Sequence, residues 1–152
     1  LFPSIQDGHR SAAYLSLRAS GIRPLGWHEL WLRLSGTALL GEVPFPDEEA
    51  LGAYVHGPFG GNFARKIVMA GGEYRYSLLR DLIKVGPYLE MLAFGDVDRT
   101  TAVQTLRGGA VAGIVAGGLF LDQFLFEFYA GMGALTDGQS GGGIALAIRQ
   151  AY

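Results

Sequence analysis

The chain has 152 residues, a formal net charge of −2 and no cysteine. This length predicts one domain over residues 1–152, the charge gives no basic surface for nucleic acid, and the lack of cysteine excludes disulfide and thiolate–metal scaffolds. Only 17% of the residues are charged, against about 25% in typical soluble domains, yet no uncharged apolar run is long enough for a membrane-spanning helix. Such a chain needs a large core or a surface that faces lipid. Since it begins at Leu1 without a signal segment, we expect a processed chain or a fragment.

Seven segments alternate apolar and polar residues with the period of two that is typical of β-strands. The first two are residues 12–19 and 28–40, separated by a predicted turn at 22–26. A long irregular stretch at 41–63 follows, and a loop of that length usually has a function. The remaining strands are predicted at 65–78, 82–94, about 104–116, about 120–132 and the C-terminus.

The two faces of these strands differ in charge. Glu73 and Arg75 alternate with Tyr74 and Tyr76, so that charges of both signs occur singly on one face while the other is almost free of charge. Strands of about 9–11 residues with this pattern are typical of a transmembrane β-barrel with a polar lumen. A soluble all-β protein that buries its apolar face has the same alternation and remains the alternative fold.

We therefore predict an all-β, antiparallel transmembrane β-barrel in a Gram-negative bacterial outer membrane. It has about seven to eight strands, and is complete or part of a larger barrel. The residues predicted to face the lumen or contact the long loop are His56, Gly57, Phe59, Glu73, Arg75, Glu90, Glu127 and Arg149. The residues predicted to face lipid are Tyr74, Tyr76, Val85, Leu89, Phe124, Phe126, Ile144, Leu146 and Ile148.

Four short motifs are followed by a glycine-rich strand and a terminal strand that ends on an aromatic residue, and together these features cover about residues 30–152. The motifs are Gly41-Glu-Val-Pro-Phe45, Val55-His-Gly-Pro-Phe-Gly-Gly61, Gly72-Glu-Tyr-Arg-Tyr76 and Gly86-Pro-Tyr-Leu-Glu90. This order resembles the C-terminal barrel region of the outer-membrane assembly factor superfamily, the BamA-type bacterial surface antigens. The resemblance implies a non-enzymatic barrel related to protein insertion and translocation factors. Its implied partners are outer-membrane lipid and other barrel or periplasmic proteins.

In that family the long loop carries an Arg-Gly-aromatic element that folds back into the lumen. Here His56 stands in place of the Arg, and a neutral imidazole lacks the bidentate contact of a guanidinium. We therefore expect a loop held more by Tyr54, Phe59 and backbone contacts than by an ion pair, in a structural or partner-binding descendant of the family. His56→Ala is then expected to change stability little.

The last strand resembles the C-terminal signal that the barrel-assembly machinery reads in this family. The residues that carry this resemblance are Gly143, Leu146, Ile148 and Tyr152. The alternative interpretation is an ordinary closing strand that ends on an aromatic residue.

A small outer-membrane pore or a lipid-modifying barrel enzyme is the alternative function. Such enzymes use Ser/His pairs, so the three histidines test this possibility. His9 could share a face with Ser11 but lies in a poorly patterned segment, His28 begins a strand, and His56 has no serine or acid at a suitable spacing. We predict that the chain is not an enzyme and has no catalytic, cofactor or metal site.

Overall fold

The computed structural model describes residues 13–41, 49–59, 62–79, 82–97, 104–120 and 124–150. These residues form nine strands and one short 3₁₀ turn, Leu51–Ala53. Within the described ranges, no helix is long and apolar enough to cross a membrane. The strands are β1 (Ala13–Leu25), β2 (His28–Leu40), β3 (Glu49–Ala50), β4 (Phe63–Ala64), β5 (Lys66–Leu79), β6 (Ile83–Val97), β7 (Gln104–Phe120), β8 (Phe124–Leu135) and β9 (Ser140–Gln150).

Seven of the strands form one antiparallel sheet with the order β1-β2-β5-β6-β7-β8-β9. Each strand pairs with the next strand of this order, while β3 and β4 form a separate two-stranded pair within the long loop. The predicted all-β class and the antiparallel arrangement are confirmed. In the part of the chain that the structure describes, β1 and β9 each have one neighbour, so the sheet is open at both edges.

Two predicted boundaries were wrong. β1 does not end before a turn at 22–26 but continues to Leu25, and the reversal uses Gly26, whose φ of +69° favours glycine. Pro24 is tolerated within β1 because that strand is at the sheet edge, where one row of backbone groups makes no ladder bonds. The strand predicted at about 120–132 begins and ends later, as β8 at Phe124–Leu135, and Phe120 is the last residue of β7.

The alternation along the strands sorts the side chains onto two different faces. We call the face covered by loop residues 51–59 the inner face, and the opposite one the outer face. On β5, Met69, Glu73 and Arg75 are buried on the inner face, whereas Tyr74 and Tyr76 are exposed on the outer face. The apolar core lies between the loop and the inner face, and its members include Leu51, Tyr54, Phe59, Ile67, Tyr88, Phe94 and Tyr129.

Candidate functional site

Residues 51–59, which we call the inner loop, lie against the inner face of the sheet. The loop begins with the 3₁₀ turn, in which the backbone N–H of Tyr54 donates to the Leu51 carbonyl at 2.9 Å. Leu51 in turn donates its N–H to the carbonyl of Asn62 at 2.8 Å, which brings the two ends of the loop together. Leu51, Val55 and Phe59 are almost fully buried. The loop is therefore held as a packed element of the core.

The Tyr54 side chain connects the inner loop to β2. Its hydroxyl lies 2.5 Å from the Oγ1 of Thr37, and both residues are buried. Burial raises the pKa of the Tyr54 phenol above its ordinary value, although the Thr37 hydrogen bond acts in the opposite direction. The phenol is therefore neutral at physiological pH.

A network of buried charged side chains lies beside the inner loop. The Nη2 of Arg33 donates to Glu73 and to Glu90, at 2.6 Å in each case. Arg75 pairs with Glu73 on its own strand and with Glu127 on β8. Both Glu90 and Glu127 are 0% exposed. Because charges this deep are costly unless they are paired and hydrogen-bonded, the network fixes the relative positions of four strands.

The strand register explains how Arg33 reaches a carboxylate that lies two strands away. Arg33 pairs with Gly71 of β5, and Gly71 pairs with Glu90 of β6, so the three residues form one row across the sheet. Gly71 leaves the space between them open, since a Cβ there would lie 3.2 Å from the Cγ of Glu90. A glycine therefore allows the guanidinium to cross β5.

His56 connects the inner loop to this network. Its backbone N–H donates to Oε2 of Glu90 at 2.6 Å, and its Nδ1 lies 2.7 Å from Oε1 of the same carboxylate. The imidazole stacks on Tyr129 with 3.7 Å between ring centroids and 12° between planes. The Tyr88 hydroxyl donates to the His56 carbonyl at 2.6 Å. His56 therefore has partners on both its backbone and its ring.

These contacts change the expectation for the loop. Tyr54, Phe59 and the His56 backbone contact the sheet, and the His56 side chain also contacts it, through Glu90 and Tyr129. The residues near His56 in the sequence include no suitably spaced acid. The fold brings one to it, Glu90, which is 34 residues later in the chain. The guanidinium that His56 cannot provide comes from Arg33, whose Nη2 lies 3.1 Å from the His56 Nδ1. The inner loop thus contacts an ion pair, Arg33–Glu90, whose two members lie on β2 and β6.

Glycines on the last two strands form a flat surface beneath the inner loop, which we call the glycine floor: Gly133, Gly141 and Gly143. A Cβ at Gly143 would lie 2.8 Å from the carbonyl carbon of Gly57 and 2.9 Å from the nitrogen of Pro58. A Cβ at Gly133 would lie 2.8 Å from the Phe59 ring. Side chains at Gly133 and Gly143 would clash with the loop in its present position, so these two glycines allow it to lie there.

The structure places most of the sequence-predicted residues on one face or the other. Glu73, Arg75, Glu90 and Glu127 come together on the inner face, and His56, Gly57 and Phe59 lie against them or the glycine floor. The side chain of Arg149, and Tyr152 as a whole, lie outside the described residues. Val85 is half-buried. The exposed residues predicted to face lipid are Tyr74, Tyr76, Leu89, Phe124, Phe126, Ile144, Leu146 and Ile148.

Sequence reasoning missed the aromatic part of the site. Tyr88 and Tyr129 are 3% and 0% exposed, and both contact His56. The signal was present, because Tyr88 has the parity of Glu90 and Tyr129 has the parity of Glu127, which places each pair on one face. The alternation could not reveal that Gly113 and Gly131 lie next to Tyr88. These glycines leave space for the Tyr88 ring to reach the loop.

The remaining two histidines are outside this site. His28 lies near the first turn, where its Nδ1 is 2.6 Å from the hydroxyl of Tyr74 and its ring stacks on the Tyr74 ring. His9 lies outside the described residues. Among the described residues, no group of three or more His, Cys, Asp or Glu side chains is arranged to hold a metal ion.

Comparison with known proteins gives no assignment. The sequence matches no protein-family model, no curated protein and no solved structure.

Proposed function

We propose that this chain forms wall strands of a β-barrel in a bacterial outer membrane, with the inner loop inside the barrel as a structural brace. One observation carries the proposal: the sheet buries charges on its inner face and exposes large apolar side chains on its outer face. A barrel in lipid has this distribution, with a polar interior and an apolar exterior band.

The outer face is apolar from one edge of the sheet to the other. Leu17 on β1, Val68 on β5, Ile114 on β7 and Leu146 on β9 are each more than half exposed. Contiguous apolar surfaces of this extent are rare on monomeric soluble proteins and usually mark a contact with protein or membrane. Lipid covers such a surface without requiring a shape-matched partner.

A sheet in a membrane needs partners for the backbone groups at its two open edges. Backbone groups of β1 and β9 that face away from the sheet have no strand partner among the described residues. In hydrocarbon an unpaired backbone donor or acceptor is costly, and spanning sheets are therefore closed. We propose that these edges pair with each other or with further strands. Bacterial single-chain barrels have even strand numbers, so a sheet of seven strands favours further strands.

The role we propose is non-enzymatic, in a structural or partner-binding relative of the assembly-factor barrels. This proposal is supported by the contacts of His56 and Glu90, the groups that acid–base chemistry would need, because both are held by hydrogen bonds or stacking. Nδ1 of His56 faces Glu90 and Arg33, and its ring is stacked on Tyr129. Glu90 in turn accepts hydrogen bonds from the loop backbone and from Arg33. These contacts hold a loop in place. The proposed partners are outer-membrane lipid and other barrel or periplasmic proteins.

Single-cysteine spin labelling tests the membrane proposal, and the absence of native cysteine simplifies it. Nitroxide labels would be attached at Leu89→Cys and Leu146→Cys on the outer face, and at Thr136→Cys in the exposed β8–β9 turn as a control. In reconstituted vesicles, the two outer-face labels should collide with dissolved oxygen and be shielded from a water-soluble nickel reagent. The Thr136 label should show the opposite preference. Water-accessible labels at Leu89 and Leu146 would contradict the proposal.

A further inference from the structure

The aromatic side chains of the outer face are gathered at one end of the sheet. This end, which we call the turn end, carries the short connections β1–β2, β5–β6 and β7–β8, whereas the loop of residues 41–63 leaves from the opposite end, the loop end. Each exposed aromatic residue of the outer face lies within five residues of a strand end at the turn end, and Trp27 lies exposed in the β1–β2 turn itself. The six residues, which we call the aromatic belt, are Trp27, Tyr74, Tyr76, Phe124, Phe126 and Phe128.

The loop end differs from the turn end in composition. Among the described residues, its outer face carries no aromatic side chain, and its exposed residues there include Leu15, Val68 and Met132. Side chains that are exposed on the outer face do not pack in the core, so the uneven distribution does not come from core packing. Clustered exposed rings indicate a contact outside the described chain.

Two charged side chains mark the limits of the apolar band on the outer face. Among the described strand residues, Arg23 and Lys66 are the members of this face that are Asp, Glu, Lys or Arg. Arg23 pairs with Leu30 and Leu30 pairs with Tyr74, so Arg23 lies in one row with the aromatic belt. Lys66 is the first residue of β5, at the loop end. The uncharged band therefore lies between an arginine at the turn end and a lysine at the loop end.

The length of this band along β5 matches the hydrocarbon region of a bilayer. Lys66 lies ten residues before Tyr76, and the outer-face residues between them are Val68, Ala70, Gly72 and Tyr74. A strand rises about 3.3 Å per residue, and with the tilt of about 40° that is typical of transmembrane barrels, ten residues cover a height of about 25 Å. The apolar band of such barrels is also about 25 Å tall.

The belt combines apolar rings with polar atoms. The Tyr74 hydroxyl lies 2.6 Å from the Nδ1 of His28, and the His28 ring lies 5.3 Å and 5.0 Å from the Tyr74 and Tyr76 rings, measured between centroids. Rings with an apolar body and a polar tip suit the boundary between hydrocarbon and head groups, where one side is dry and the other is wet. An arginine at that boundary keeps its stem in apolar surroundings and its guanidinium among polar groups.

We propose that the aromatic belt is an anchor that binds the phospholipid head-group interface and holds the turn end of the sheet at one boundary of the bilayer. Arg23 then lies at the level of the lipid phosphates, and the hydrocarbon extends from the belt to Lys66. Because the described loop end has no matching aromatic residues, the anchoring is one-sided. This inference rests on the proposed membrane location, to which it adds the partner of the belt and the depth of the sheet.

A change of bilayer thickness tests one-sided anchoring. Nitroxide labels would be attached at Leu78→Cys near the turn end and at Val68→Cys near the loop end, both exposed on the outer face. The full chain would be reconstituted in vesicles of dioleoyl phosphatidylcholine or of dierucoyl phosphatidylcholine, whose acyl chains are longer. Depth is measured as the ratio of collisions with oxygen to collisions with a water-soluble nickel reagent. In the thicker bilayer this ratio should rise at Val68 and stay unchanged at Leu78, and equal rises at both positions would overturn the proposal.

Variants of the belt show whether the aromatic residues cause the difference. Tyr74→Leu combined with Tyr76→Leu should make the two labels respond equally to thickness, because the turn end is no longer held. Trp27→Leu, in the β1–β2 turn, is a second variant that should bring the two responses closer together. Tyr14→Leu makes the same chemical change at an exposed residue on the inner side of β1 and should respond like the wild type. A wild-type response in both belt variants would overturn the proposal.

A third label separates this inference from the membrane proposal. Ala70 is exposed near the middle of the band, so a label at Ala70→Cys should be shielded from nickel in both bilayers. If that label is accessible to water, the sheet does not lie in hydrocarbon and both proposals fail. A shielded label at position 70 together with equal responses at the two ends would refute the anchor alone.

Discussion

Glu90 is the residue at which the sheet and the inner loop meet. It is fully buried and accepts hydrogen bonds from Arg33 and from the backbone of His56. Replacing it with Gln keeps the shape but removes the charge, so Arg33 retains only Glu73 as an ion-pair partner. Because the buried acceptor of the Arg33 and His56 hydrogen bonds loses its charge, Glu90→Gln should lower the free energy of unfolding by about 1.5–3 kcal/mol. Urea denaturation in detergent micelles measures this loss.

The matched control for this substitution is Glu29→Gln. Glu29 also accepts from a cation, at 2.5 Å from the Lys84 Nζ, but both side chains are more than 20% exposed. Partly exposed ion pairs contribute about 1 kcal/mol or less. A similar loss for Glu29→Gln and Glu90→Gln would show that burial of the network is not what stabilises it.

His56 gives a second prediction at the residue scale. His56→Ala removes the ring contact with Glu90 and the stacking on Tyr129 but leaves the backbone hydrogen bond to Glu90. A loss of about 1–3 kcal/mol is expected, because a buried carboxylate loses one of its polar partners. His28→Ala, at an exposed hydrogen bond to Tyr74, should cost less. If both variants unfold at the wild-type urea concentration, the original expectation of a minor role for His56 holds.

The glycine floor gives a prediction at the scale of whole elements. Gly143→Val places side-chain atoms where the Gly57–Pro58 backbone lies and should displace the inner loop. Limited proteolysis should then cleave within residues 41–63 faster than in the wild type. The neighbouring Gly142→Val points to the outer face and meets nothing closer than 3.8 Å, so it should leave the cleavage rate unchanged. Equal cleavage of the two variants would mean that the loop does not depend on the floor.

Alternation predicted the strands and their faces well, because it depends only on the period of the extended backbone. It could not predict which residues meet across strands, since Arg33 and Glu90 are 57 positions apart and contact each other only in one register. The sequence also could not predict that Gly71 leaves space for the contact between Arg33 and Glu90, because a glycine in a strand has several explanations. The end of β1 was missed because a proline usually breaks a strand, whereas Pro24 lies in a strand at the edge of the sheet.

For the whole molecule, the environment of the outer face determines how much a charged side chain there lowers the free energy of unfolding. Leu146 is 68% exposed, so Leu146→Arg should cost almost nothing if this face is in water. If it lies in the middle of a bilayer, Arg should destabilise the protein by about 2–4 kcal/mol. Reversible unfolding from lipid vesicles measures the difference. Gln139→Arg in the exposed β8–β9 turn should change stability by less than about 0.5 kcal/mol in either case, and serves as the reference.

The position of the inner loop also has a consequence for how the chain assembles. Residues 51–59 come before β7, β8 and β9 in the sequence, yet Val111 on β7 and the glycine floor on β8 and β9 form the surface on which the loop lies. The loop therefore cannot reach its final place until the last hairpin has formed, however early β1 and β2 pair. Closure of such distant contacts is slow compared with hairpin formation. Protection of the loop from protease during refolding should accordingly appear as the final kinetic step, after the β-sheet signal is complete.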